Sequence, residues 1–205
     1  MKLYYSPGAC SLAPHLALEW IGQPYEAEKV SLGDPSYLAV NPAGAVPALD
    51  TGDGWTLTQA GAILLYLARR FPQANLGPGE DLREWAEFER WSHYLTGDLH
   101  PAFFPVFMPR RYTAALEEAA LDAVREAGRA LVVKKLLLLD AHLAGKTHFL
   151  GERRTTLDAY AFPMLRWAVK MLPEGLERCP NCVGLLERLE ADPAARKALR
   201  DEGIG

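Results

Sequence analysis

Apolar residues come in short clusters at the start of the chain and in long helical stripes after it. Lys2 to Tyr5 is brief, apolar and aromatic, which predicts a strand at a buried sheet edge. Ser6-Pro7-Gly8 is turn chemistry, because Pro fixes φ and Gly accepts φ > 0. A helix is predicted to open near Cys10, with Leu12, Leu16 and Ile21 at helical spacing. Pro14 falls in its first turn, where a missing N–H is tolerated. Gly22-Gln23-Pro24 stops that helix, and Tyr25 to Val30 reads as a second strand. Strand, helix and strand at this spacing make a βαβ unit with parallel strands. Ser31 to Val40 reads as irregular, and Asn41 to Leu49, with Pro42, Gly44 and Pro47, as a shaped loop. Ala48 to Asp50 and Trp55 to Thr58 flank a Gly-rich connection and predict a hairpin. Thr58 is placed to cap a helix carrying Ile63, Leu64, Tyr66 and Leu67, which ends before Pro72.

Beyond Phe71 to Pro78, a stretch of helix breakers, strand signals vanish. Leu82, Trp85, Phe88, Trp91, Leu95 and Leu99 step by helical intervals among charged residues. Ala114 to Leu143 predicts a long helix, acidic early and basic late as the helix dipole prefers. Thr155 to Asp158 forms a capping box before a helix to Met171, with Phe162, Leu165 and Val169 on one side. Cys182 to Glu190 and Ala194 to Glu202 close the chain as two shorter helices. The predicted class is α/β plus all-α: a small βαβ-ββα unit over 1–71, a linker over 72–80, and an all-helical unit over 81–205.

Composition narrows the partners. The net charge is −4 with no Lys/Arg block, which argues against nucleic acid. The most apolar segment, Leu131 to Leu139, holds Lys134 and Lys135 and is far short of the ~20 residues that span a bilayer. Pro7-Gly8 interrupts the N-terminal apolar stretch, which therefore does not read as a signal peptide. Three cysteines, an odd number, argue against a disulfide scaffold and fit a reducing, cytoplasmic setting.

Chemistry concentrates at the first turn. A thiol among the unpartnered N–H groups of a helix start has its pKa lowered from about 8.5, so Cys10 is a candidate thiolate. The competing reading is a small buried residue. Ser11 and Tyr5 are rival hydroxyls. Cys179-Pro180-Asn181-Cys182 mimics a redox pair, but it lies between helices and reads as structural. His93 and His100 stand two helical turns apart; a metal site needs further ligands, and none is predicted.

Tyr5 to His15, Asn41 to Leu49, Leu57 to Ala68, Gly97 to His100 and Gly151 to Trp167 together resemble the bacterial beta-class glutathione S-transferases, in order along nearly the whole chain. The resemblance implies a thioredoxin-like N-terminal domain, a helical C-terminal domain, a homodimer and glutathione as co-substrate. It implies a cis Pro47, with Ala45 and Val46 presenting backbone to the tripeptide. Tyr5, Ala9, Cys10, Gln59, Ala60, His93 and His100 are the other implied glutathione contacts. Cys10 and His100 are the implied catalytic pair, with the imidazole cationic or hydrogen-bonding beside the sulfur. Phe107 and Trp167 are candidates to line a site for a small apolar electrophile. The chain departs from the family where Gln59 replaces an acid, where Pro101 follows His100 in place of a basic residue, and where Ser31 to Val40 lacks a lysine. The activity implied is conjugation of glutathione to small apolar electrophiles. Thiol–disulfide exchange through Cys10 and non-catalytic glutathione binding are the other readings.

Overall fold

The computed structural model describes residues 1–205. Four strands, β1 (Lys2–Tyr5), β2 (Glu26–Lys29), β3 (Ala48–Asp50) and β4 (Thr56–Thr58), form one sheet in the order β2-β1-β3-β4. β1 runs parallel to β2, and the β1–β3 and β3–β4 pairs are antiparallel, the thioredoxin-like plan. β1 is thus interior, not an edge; Leu3 and Tyr5 face the core between neighbours on both sides.

α1 (Leu12–Ile21) packs on the sheet and is buried nearly all round, as a core helix must be when its residues are apolar on every side. The segment expected to be irregular holds a short helix, α2 (Pro35–Val40). Asp34 caps it by accepting from the Ser36 amide, and Pro35 sits where a missing N–H costs nothing. α3 (Ala60–Arg70) is not capped by Thr58; Gln59 holds the cap position without a side-chain bond.

The remaining elements are helical. They are α4 (Leu82–Tyr94), α5 (His100–Ala102), α6 (Phe104–Phe107), α7 (Glu118–Leu143), α8 (Thr156–Met171), α9 (Pro180–Ala191) and α10 (Pro193–Glu202). A π-helical turn, Leu95–Leu99, joins α4 to α5. The α4 stripe is buried from Phe88 onward, whereas Leu82 and Trp85 lie at the surface. Val169, expected inward on α8, is exposed as well. α8 is the axis of the helical part; its capping box closes through Thr155 and Asp158. One contiguous core of 43 buried residues runs from Leu3 to Leu199, so the sheet and the helices share an interior. No helix is long and apolar enough to cross a membrane.

Cys179 and Cys182 are free and buried at the start of α9. Asp140 accepts from the amides of Asn181 and Cys182 at 2.7 and 2.9 Å, capping that helix, and burial pushes both thiols up. Both features agree with a structural role.

Candidate active site

The turn between β1 and α1 is closed by its own side chains. Gly8 holds φ at 69°, a conformation glycine takes without a Cβ clash. Ser11 is fully buried; its Oγ donates to the Ser6 carbonyl and accepts from the Ser6 amide. The Tyr5 hydroxyl donates to the Asp201 carbonyl at 3.2 Å. Both rival hydroxyls are therefore engaged in holding the turn.

α1 begins at Leu12 with Ser11 at its cap, so Cys10 stands just outside the helix. Ala9 and Cys10 are half-buried. The amides of Cys10 and Ser11 still favour the anion, but burial outweighs them and pushes the Cys10 thiol up to about 11. The expected lowered pKa is corrected: in the free protein Cys10 is a neutral thiol. A neutral thiol is a donor, and Cys10 Sγ donates to the Val46 carbonyl at 3.2 Å. Alkylation of Cys10 by iodoacetamide is accordingly slow near neutrality and rises with pH toward about 11. A rate profile with a midpoint below about 8.5 would overturn this assignment.

The Val46–Pro47 peptide is cis. Tyr37, buried on α2, and Asn41 both donate to the Ala45 carbonyl at 2.6 Å, and Asn41 Oδ1 accepts from the Ala43 amide. These bonds fix the loop so that the Val46 carbonyl meets the thiol. Across the hairpin, Gln59 is exposed at φ 71°, ψ 118°, and Ala60 is buried as the first residue of α3. A positive φ at a residue with a Cβ costs about 1–3 kcal/mol and persists only where surroundings dictate it.

His100 follows the π-helical turn and is half-buried against Phe104, Tyr160 and Trp167. Its Nδ1 lies 3.0 Å from the Tyr160 hydroxyl. Burial pulls its pKa down to about 4, so the ring is neutral at physiological pH and charges only in strong acid. The cationic form is thus corrected to a neutral hydrogen-bonding one. Burial pushes the Tyr160 phenol up, and the charge of the Cys10 sulfur adds to that shift, so Tyr160 feels Cys10 while its hydroxyl contacts His100. Trp167 Nε1 donates to the Gly8 carbonyl at 2.7 Å, and Phe107 meets Trp167 edge-on at 5.3 Å. His100, Phe103, Phe107 and Trp167 form an aromatic wall beside the turn.

His93 is not part of this group. Its side chain is 81% exposed and pairs loosely with Glu89. It borders a surface concavity with Arg90, Trp91, Tyr94 and Asp98, which contains neither Cys10 nor His100. Three residues enter that sequence reasoning missed. Tyr37 lies in the segment expected to be irregular, Tyr160 is one of many apolar or aromatic residues of α8, and Glu202 lies at the far end of the chain. Glu202 Oε2 accepts from the Gly8 amide at 2.8 Å, and its Oε1 lies 2.9 Å from His15 Nδ1. No local motif marks any of the three.

Residues 3–75 match the family described as glutathione S-transferase, N-terminal domain, and residues 122–196 match glutathione S-transferase, C-terminal domain. The chain is 39% identical over 207 residues to glutathione S-transferase GST-4.5 of Xanthomonas campestris pv. campestris, covering 100% of both proteins. It is similar to a bacterial beta-class glutathione S-transferase of Sphingomonas chungbukensis, with TM-score 0.88, 35% identity and 100% of both chains covered. A sphingomonad glutathione S-transferase complexed with glutathione superposes with TM-score 0.87 at 35% identity, again over 100% of both chains.

Proposed function

We propose, because this chain belongs to the bacterial beta class of the glutathione S-transferase family, that it conjugates reduced glutathione to small apolar electrophiles. The observation that carries the reading is the Cys10 Sγ–H bond to the Val46 carbonyl at 3.2 Å, which joins the catalytic turn to the cis-Pro loop. An extended tripeptide laid along Val46 adds to the loop as a strand does, with its cysteinyl sulfur beside Cys10. The N–H groups at the start of α3, at Ala60 and the residues after it, suit the γ-glutamyl carboxylate.

In this reading the anion sits on glutathione. Once the tripeptide backbone takes over the Val46 carbonyl, Cys10 turns its proton to the bound sulfur, and Tyr160 fixes the ring of the neutral His100 nearby. The glutathione thiol gives its proton to solvent. The sulfur anion then attacks the electrophilic carbon, and the leaving group departs with the bonding pair. Phe107 and Trp167 offer the electrophile an apolar wall. Residues 1–71 hold glutathione, 72–80 link, and 81–205 supply that wall. A cytoplasmic homodimer whose conjugation step takes no metal at the catalytic turn completes the proposal.

The raised Cys10 pKa counts against disulfide exchange, which needs a thiolate. The test is direct. Glutathione binding is measured by calorimetry, conjugation with a chlorinated nitroarene, and adduct formation by intact mass after incubation with oxidised glutathione. Binding with conjugation supports the proposal. A Cys10 adduct with disulfide reductase activity and no conjugation supports exchange, and absence of binding removes both.

A further inference from the structure

Beneath the catalytic turn, on the side of α1 facing α10, lies a second set of polar groups. His15 is fully buried there. Its Nδ1 is held by Glu202 at 2.9 Å, while its Nε2 has no partner at all. Buried polar atoms almost always find one, so an orphan asks for a ligand. A ring nitrogen of His15 and carboxylate oxygens of Glu19 and Asp201 all lie within 4.8 Å of one another. His15 and Glu19 share a face of α1 by their four-residue spacing, and Asp201 comes from the end of α10.

The carboxylate on Nδ1 decides the rest. Glu202 accepts the Nδ1 proton, which leaves a lone pair on Nε2, the arrangement by which proteins ready a histidine for a metal. We propose that His15 Nε2, Glu19 and Asp201 form a divalent transition-metal site, with Glu202 orienting the imidazole. One nitrogen and two carboxylates suit Zn2+ better than Mg2+ or Ca2+, which prefer all-oxygen shells.

Lys197 marks the place. Its half-exposed ammonium bonds Glu19 Oε1 at 2.8 Å and Asp201 Oδ2 at 2.7 Å, so it is an internal cation that the metal displaces. Tyr25 donates to the same Glu19 oxygen. A metal here ties α1 to α10 directly below Gly8, whose amide Glu202 already holds.

The test uses the full-length protein, stripped with EDTA and titrated with Zn2+ alone. One equivalent is expected to bind and to raise Tm. Asp201→Asn and Glu19→Gln each lose that shift, and Glu202→Gln weakens binding about 10–100-fold. Lys197→Met tightens binding, a gain that damage to folding cannot mimic. Co2+ in place of Zn2+ gives the visible bands of a nitrogen–oxygen site. The proposal fails if neither wild type nor Lys197→Met binds Zn2+. It also fails if binding survives Asp201→Asn but is lost in His93→Gln, which would put the ion at the exposed His93–Glu89 pair.

Discussion

Replacing Asp158 by alanine is expected to cost about 3–5 kcal/mol of folding stability. The carboxylate is fully buried at the start of α8. Oδ2 accepts from the Thr155 amide at 2.7 Å and from the Thr155 hydroxyl at 3.1 Å. Oδ1 accepts from the Phe149 amide at 3.0 Å and lies 3.2 Å from His148 Nδ1. Removing it leaves buried donors from two segments unpaired at the head of the axial helix, and each orphan carries its own desolvation cost. Thr155→Val removes one cap and is expected to cost about 1 kcal/mol. Urea unfolding of both variants checks the pair; a loss below about 1 kcal/mol for Asp158→Ala would sink the account.

Cys10→Ala is expected to lower kcat/KM for glutathione about 10–100-fold while leaving the fold intact. A hydrogen bond to a charged sulfur is worth about 1.5–3 kcal/mol, and about 1.4 kcal/mol is a factor of ten in rate. Cys10→Ser keeps a donor at that place and is expected to retain most of the activity. That contrast separates a donor from a nucleophile, because a nucleophilic thiol loses its function in both variants. The second readout is the acidity of bound glutathione, followed by thiolate absorbance. Its apparent pKa rises in Cys10→Ala and stays near the wild-type value in Cys10→Ser. Equal losses in the two variants would return Cys10 to a covalent role.

The strand–turn–helix opening, the hairpin and the capping box were legible because each is written in neighbouring residues. Ser6-Pro7-Gly8 can hardly be anything but a turn, and Thr155 with Asp158 is a complete local device. The acidity of Cys10 was not legible, because it depends on how deeply the sulfur is covered. His93 illustrates another limit. Seven residues bring two side chains to one face of a regular α-helix, which suggested a shared cleft with His100. The π-helical turn Leu95–Leu99 lies between them, and its wider winding rotates His100 inward and leaves His93 in solvent. Leu82 and Trp85 show that an apolar stripe read from spacing can outrun the surface that covers it. Tyr160 became visible only when α8 was laid across the turn.

Gly8 bears the last consequence. Its amide is held by Glu202 of α10 and its carbonyl by Trp167 of α8, so both polar ends of the reactive bend are tethered by helices from the other half of the chain. The sheet unit is consequently no portable cassette. Grafted alone onto another scaffold, it would carry the cysteine but not the two anchors that set its aim.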